Sequence, residues 1–217
     1  IDAVVVTGDI SDHGDAEDYR VMIETLDLGV PVVAVPGNHD DRASMRAAMP
    51  VLGGVGSEPI HQVALLDRLA IVGCDATVPG EPYGNASDAL LSWLDSTLRE
   101  TAGTPTLVCM HHHPAASRIG WLDGIALRGA DRLEEVIRSH GHVAAVLAGH
   151  LHSAMAGTFA GRPLLVAPGS STVVILPWEP YEGSMHTLAP AGVAFHVVTG
   201  TEVVTHFRTT PSDAASK

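Results

Sequence analysis

The sequence of 217 residues is poor in basic side chains. Lys and Arg together number 12 against 25 Asp and Glu, which gives a formal net charge of −13, and the basic residues form no cluster. Surfaces that bind duplex nucleic acid neutralise phosphates with Lys and Arg, so this composition argues against that class of function. We therefore expect no nucleic acid duplex among the partners of this protein.

Cysteine and long apolar runs are also scarce. Cys74 and Cys109 lie inside apolar segments without Cys-x-x-Cys spacing, which predicts buried thiols in a reducing compartment rather than a disulfide or a zinc knuckle. No apolar stretch reaches the roughly 18 residues that a membrane-spanning helix needs, and no signal-peptide pattern occurs. These absences predict a cytoplasmic protein without a membrane span.

Histidine, by contrast, is abundant. The chain has 13 His, and two tight groups stand out, one at His111–His113 and one formed by His150 and His152. Neutral imidazole is the commonest metal ligand in proteins, so the composition alone indicates a metal site.

Strand-like and helix-like segments alternate through the first 150 residues. Apolar runs predict strands at 4–6, 30–35, 61–66, 69–74, 106–110 and 143–147, and apolar residues at helical spacing predict helices at 15–28, 42–49, 87–99 and 131–139. Residues 158–207 form strand-like runs separated by Gly and Pro. This order predicts an α/β class that is α+β in part: two stacked sheets with outer helices, in one domain over residues 1–208 followed by a polar tail at 209–217.

Residues of the metal-ligating types follow four of the predicted strands. They are Asp9, the pair Asn38 and His39, His111, and His150 with His152. Ligand sites in open α/β sheets form at the carboxyl ends of strands, where loops converge. A mixture of carboxylate, amide and imidazole donors suits Zn, Mn, Fe or Co. Each group alone is typical of an ordinary turn, and the prediction of a metal site depends on their combination.

These motifs resemble those of the calcineurin-like metallophosphoesterases. The matching segments are Thr7-Gly8-Asp9, Gly37-Asn38-His39-Asp40, His111-His112-His113-Pro114 and Gly149-His150-Leu151-His152. Together with Trp121-Leu122-Asp123 and Leu127-Arg128, they are most similar to the bacterial class III phosphodiesterases that act on cyclic AMP. The resemblance implies a four-layer αββα sandwich of two mixed sheets between outer helices.

The resemblance also implies a role for each residue. Asp9 would bridge two metal ions, drawn from Fe, Mn, Zn or Co. The remaining ligands would be Asn38, His111 and His150 on the second ion and His152 on the first, with Asn38, His39 and His152 facing the substrate. His39 would act on the phosphate without binding metal, and Asp40 would orient it as the other catalytic residue. His112 and His113 would lie outside the ligand set.

One motif of the family is missing. The Asp-x-His that ends the family's first strand occurs nowhere in these residues. Because the chain begins at Ile1 within a predicted strand, we expect this motif and the first strand to lie upstream of Ile1, so that the chain is N-terminally incomplete.

The implied function is hydrolysis of a small phosphodiester. The resemblance implies in-line attack on a 3′,5′-cyclic nucleotide such as cyclic AMP by a hydroxide held between two metals, and it suggests a homodimer built on the strand-rich region. Glycerophosphodiester or phosphomonoester hydrolysis and a non-catalytic scaffold remain alternatives. A metallo-β-lactamase is rejected, because its His-x-His-x-Asp-His run does not occur. Residues 170–172 follow a predicted strand, and an ordinary turn is favoured for them over a role in the pocket.

Overall fold

A computed structural model of the protein describes residues 1–186 and 190–210. The strands are β1 (Val4–Val6), β2 (Val32–Ala34), β3 (Gln62–Leu65), β4 (Ala70–Cys74), β5 (Gly84–Asn85), β6 (Thr106–Met110), β7 (Leu127–Arg128), β8 (Val143–Ala148), β9 (Met155–Phe159), β10 (Arg162–Val166), β11 (Val173–Val174), β12 (Met185–His186), β13 (Gly192–Thr199) and β14 (Glu202–Thr209). The helices are α1 (Ala16–Thr25), α2 (Arg42–Ala48), α3 (Asp88–Glu100), α4 (Gly120–Asp123) and α5 (Ala130–Ser139), and a 3-10 turn spans Pro50–Leu52.

A six-stranded sheet of order β3-β4-β6-β8-β10-β9 forms the centre of the structure. The pairs β4–β6, β6–β8 and β8–β10 are parallel, whereas β3 and β9 pair antiparallel at the two edges. Every residue of β4, β6 and β8 is buried. Parallel strands covered on both faces are expected to be continuous apolar runs, which is how their sequences read.

Helices α3 and α5 cover one face of this sheet. Their apolar residues recur at helical spacing and are buried against β4, β6 and β8: Leu90, Leu94 and Leu98 from α3, and Leu133 and Ile137 from α5. Ser87 caps α3, since its hydroxyl accepts a hydrogen bond from the backbone N–H of Leu90 at 3.2 Å.

The opposite face of the sheet packs against two strand pairs. The parallel pair β1–β2 and the hairpin β13–β14 contribute Val5, Val33, Val198 and Val203 to a second apolar cluster beneath the central sheet. Helices α1 and α2 lie on the outer side of β2, where Tyr19 is fully buried. The layer order is thus helix, strand pairs, sheet, helix, which confirms the predicted α/β class with its two strand layers between outer helices. In the described residues the second layer consists of two separate pairs rather than one mixed sheet.

Most predicted elements are present within a few residues of their expected ends. The predicted helix at 15–28 ends earlier, at Thr25, and Gly29 follows with a left-handed φ of 70°. The short helix α4 and the parallel pair β5–β7 were not predicted. The predicted tail at 209–217 lies outside the described residues from 211 onward, and the single-domain boundary stays a prediction. No helix in the described ranges is long and apolar enough to cross a bilayer.

Candidate metal centre

The loops after β1, β2, β6 and β8 meet between the central sheet and the β1–β2 pair. His111 directly follows β6, and its Nδ1 lies 2.6 Å from the carbonyl oxygen of Thr7, the residue after β1. This contact joins the two layers, because β6 belongs to the central sheet and β1 to the layer below it. The side chains that follow these four strands are therefore brought together as the sequence predicted.

Three donor atoms from other loops surround the Nε2 atom of His111. The Nε2 atom of His111 lies 3.2 Å from Asp9 Oδ2, 3.1 Å from Asn38 Oδ1 and 3.1 Å from His150 Nδ1. His111 is almost completely buried, and His150 is also buried. One carboxylate oxygen, one amide oxygen and two imidazole nitrogens are donors that Zn, Mn, Fe and Co share.

The hydrogen-bonding capacity of this cluster indicates that a cation fits it. The Thr7 carbonyl can only accept, so His111 Nδ1 carries a hydrogen, and in the neutral ring Nε2 then presents a lone pair. That lone pair faces an Asp9 oxygen and an Asn38 oxygen, which also carry lone pairs. Buried acceptors that face one another without a hydrogen are unfavourable, and either a second hydrogen on His111 or a cation bound in its place removes the conflict.

The charges of Asp9 and His111 are coupled in the polypeptide itself. Burial alone would raise the pKa of Asp9, but His111 and the backbone N–H of His39 outweigh burial and hold that pKa well below its usual range. Burial likewise opposes protonation of His111, yet the Asp9 carboxylate raises the pKa of His111. Burial and the charge of His111 lower the pKa of His150 to about 2, so His150 is neutral and available as a ligand.

The backbone at the centre is strained where the ligand-type residues lie. Asp9, His150 and His152 have φ values of 53°, 66° and 49°, a left-handed region that costs residues other than glycine on the order of 1 kcal/mol or more. The neighbouring backbone is also tightly packed: a Cβ at Gly37 would lie 2.1 Å from Asp9 Oδ1. Only glycine at position 37 allows the two loops to approach so closely.

His152 lies at the same end of the sheet and has a partner from a distant segment. Its Nδ1 is 2.6 Å from the hydroxyl oxygen of Thr172, which precedes β11. Burial lowers the pKa of His152, and the nearby Asp9 carboxylate partly offsets that effect. Residues 170–172 were predicted to form an ordinary turn, so the contact of Thr172 with His152 was missed.

The ring of His39 has a different partner from the one predicted. Asp40 was expected to orient this ring, but its carboxylate instead accepts hydrogen bonds from the backbone N–H groups of Gly37, Ile10 and Ser11 at 2.7–3.1 Å. His39 Nδ1 lies 3.1 Å from the carbonyl oxygen of Asp12 and 3.3 Å from its carboxylate. The predicted orienting contact is therefore corrected from Asp40 to Asp12, and Asp40 holds the two ligand loops together.

His112, the residue after His111, packs against the same group of histidines. His112 is fully buried, its Nε2 is 3.2 Å from the carbonyl oxygen of Pro82, and its ring centroid is 4.7 Å from that of His150. His111, His112 and His150 each offer a nitrogen within 4.8 Å of the others. His112 thus belongs to the histidine cluster, where burial and the charge of His111 lower its pKa to about 3.

The third histidine of the run connects the centre to α4. His113 Nε2 is 3.3 Å from Asp123 Oδ1, and the same carboxylate accepts hydrogen bonds from the backbone and hydroxyl of Ser117 at 2.7 Å. Trp121 of this helix is half exposed. Helix α4, which carries Trp121-Leu122-Asp123, is therefore held by His113, the residue that follows His112.

Several known proteins are similar to this chain in sequence. A family model described as calcineurin-like phosphoesterase matches residues 1–154. A probable cyclic nucleotide phosphodiesterase of Rhodococcus erythropolis is 37% identical over 172 residues, 76% of this chain and 56% of that protein. The 3′,5′-cyclic adenosine monophosphate phosphodiesterase of Escherichia coli is 33% identical over 190 residues, 87% of this chain and 67% of that protein. The chain thus spans little more than half the length of the Rhodococcus relative.

One further relative and one solved structure are also similar to this chain. A glycerophosphodiester phosphodiesterase of Enterobacter lignolyticus is 28% identical over 214 residues, which are 94% of this chain and 75% of that protein. Among solved structures, a dimetal phosphatase of Danio rerio superposes with a TM-score of 0.61 at 19% identity and covers 94% of this chain and 83% of its own, which shows a shared fold. The family match extends over more than half of the chain and includes the loops after β1, β2, β6 and β8. This chain is therefore a member of the calcineurin-like phosphoesterases, a family of metal-dependent hydrolases.

Proposed function

We propose that this protein is a metal-dependent phosphodiesterase that hydrolyses a small phosphodiester, with a 3′,5′-cyclic nucleotide as the favoured substrate. The contacts of Asp9, Asn38 and His150 donor atoms with His111 Nε2 carry this proposal. The names of the Rhodococcus and Escherichia relatives support a cyclic nucleotide.

The ligands of two ions can be assigned to residues of this chain. Asp9, Asn38, His111 and His150 would hold one ion, and Asp9 and His152 would contribute to a second. Asp9 suits both tasks because its two oxygens already face different groups, Oδ2 toward His111 and Oδ1 toward the backbone N–H of His39. When bound, such ions polarise the phosphoryl group and lower the pKa of water toward about 7.

The chain's own contribution to the reaction would come from His39 and the loops that hold it. His39 lies beside Asp9, yet its side chain is about half exposed, so it can reach a phosphate from the solvent side. Its ring can donate a hydrogen bond to a phosphoryl oxygen or a proton to the departing alkoxide. Asp12 keeps Nδ1 occupied, which leaves Nε2 for the substrate.

This geometry predicts different effects for His39 and Asp12. His39→Ala should lower kcat by about 10²–10⁴-fold, the usual contribution of a general acid, while the metal content stays at the wild-type level. Asp12→Asn should lower kcat only a few-fold with KM unchanged, because the backbone carbonyl of Asp12 still accepts the Nδ1 hydrogen and only the contact with the exposed carboxylate is lost. Steady-state kinetics and metal analysis check both results. His13→Gln is the matched control, since exposed His13 contacts Asp12 but not His39. A loss of kcat in His13→Gln equal to that in His39→Ala would contradict the role of His39.

The similarity to a glycerophosphodiester phosphodiesterase favours a second candidate substrate. That relative matches 94% of this chain, a larger share than the cyclic nucleotide relatives match, although at lower identity. The proposed ligand set would suit either reaction, so the choice of substrate would depend on the surrounding loops.

One comparison of substrates tests the proposal. The protein, stripped of metal and then supplied with Mn²⁺, should hydrolyse bis(p-nitrophenyl) phosphate and 3′,5′-cyclic AMP, and the metal-free protein should hydrolyse neither. Hydrolysis of the model diester and of glycerophosphoethanolamine, but not of cyclic AMP, would favour the second candidate. Absence of any metal-dependent hydrolysis would contradict the proposed function.

A further inference from the structure

Thr172 is brought to the metal centre by tertiary structure alone. It lies 20 residues beyond His152 in sequence, after β10 has returned along the central sheet beside β8. Its hydroxyl oxygen nevertheless lies 2.6 Å from His152 Nδ1. Such a short contact between a hydroxyl and a partly buried imidazole fixes the direction of the ring.

The backbone around Thr172 is built to hold this contact. A Cβ at Gly169 would lie 2.1 Å from the carbonyl oxygen of Thr172 and 3.4 Å from the Cα of His152. The segment 169–172 therefore folds directly over His152, and the carbonyl oxygen of Gly169 accepts a hydrogen bond from the N–H of Gly192 at 3.0 Å, which ties the segment to the start of β13. His152 itself has a left-handed φ of 49°.

We propose that Thr172 is a positioning residue for metal binding, which holds His152 with a hydrogen on Nδ1 and a free lone pair on Nε2. The inference rests on the proposed function, because it takes His152 as a ligand. In this arrangement the Thr172 hydroxyl oxygen accepts the Nδ1 hydrogen, which favours this tautomer.

The arrangement parallels that of the neighbouring ligand. His111 donates its Nδ1 hydrogen to the Thr7 carbonyl and directs Nε2 toward Asp9 and Asn38. Metal-ligating histidines generally donate the hydrogen of their other ring nitrogen to an oxygen, which sets the tautomer and strengthens the ligand. For His111 the oxygen is a backbone atom, which no substitution removes. For His152 it is a side chain, so the second half of the centre depends on residue 172.

The test compares Thr172→Val, Thr172→Ser and wild type. Valine keeps the branched shape of threonine and removes the acceptor, whereas serine keeps the hydroxyl. Titration calorimetry with Co²⁺ on the metal-free protein should show that Thr172→Val weakens one binding event by about 10–100-fold, the usual effect of losing such a partner, while Thr172→Ser binds like wild type. Ser171→Ala is the matched control, because exposed Ser171 lies in the same segment.

A second measurement does not require any bound metal. Long-range ¹H–¹⁵N spectra of the metal-free protein report which ring nitrogen of His152 carries the hydrogen. We expect Nδ1–H in wild type and a mixture containing Nε2–H in Thr172→Val. Wild-type Co²⁺ affinity in Thr172→Val, or equal weakening in Thr172→Ser, would overturn the role of Thr172 and leave the proposed function intact. If wild type itself bound no Co²⁺, the proposed function would fail, and the role of Thr172 in metal binding with it.

Discussion

Replacing Asp9 with asparagine should reduce phosphodiester hydrolysis to background. It should also remove most of the bound metal. The carboxylate is the one anionic donor among the four neighbouring donor atoms, and it carries a full charge because its pKa lies well below the usual range. A neutral amide cannot balance a divalent cation in the same way. Since a bound metal contributes several kcal/mol to transition-state stabilisation, the expected loss in kcat is on the order of 10³-fold or more.

The measurement pairs kinetics on bis(p-nitrophenyl) phosphate with metal analysis of the purified protein. Circular dichroism should show an intact fold, because Asp9 lies in a loop rather than in the apolar layers. Asp15→Asn provides the control for the same change of charge, since Asp15 precedes α1 and its side chain makes no capping hydrogen bond. Wild-type hydrolysis in Asp9→Asn, or in the companion variant Asn38→Ala, would contradict the assignment of the metal centre.

The position of the candidate metal centre was predictable because the residues proposed as its ligands directly follow apolar strands. Each of β1, β6 and β8 is a continuous apolar run, and Asp9, His111 and His150 follow these runs within three residues. Parallel strands direct their carboxyl ends to the same side of a sheet, which brings His111 and His150 together, and Asp9 reaches them from the β1–β2 pair in the adjacent layer. Local sequence and this rule were sufficient for His111 and His150, whereas the approach of the two layers at Thr7 had no sequence signal.

The partners of the ligands were not predictable by the same reasoning. Asp12 and Asp40 both lie in polar loops near His39, and adjacency in sequence favoured Asp40 over Asp12, which is 27 residues away. Thr172 reaches His152 only after two further strands and a loop, a path without a sequence signal. Helix α4 has four residues, too few to show helical periodicity.

A buried ion pair that supports the loop carrying Asn38 also had no sequence signal. Arg42 opens α2, two residues after Asp40, and its Nε lies 2.7 Å from Oδ2 of Asp75, which follows β4. The Asp75 side chain is 0% exposed and that of Arg42 10% exposed. Asp75 also accepts a hydrogen bond from the N–H of Ile60 at 2.8 Å. This pair fixes the start of α2, and therefore the loop that carries Asn38, against the central sheet.

Breaking this pair should cost more stability than any other single change of a charged residue considered above. Asp75→Asn leaves the Arg42 guanidinium buried without its counter-charge, which is expected to lower the free energy of unfolding by about 3–5 kcal/mol. Urea denaturation at neutral pH measures the loss. Glu134→Gln, which breaks the exposed pair with Arg138, should cost under about 1 kcal/mol. If the Asp75→Asn cost did not exceed that of this control, the pair would not anchor α2. Replacing both partners, as Arg42→Met with Asp75→Leu, should cost less than the two single changes together, because no isolated charge is left buried.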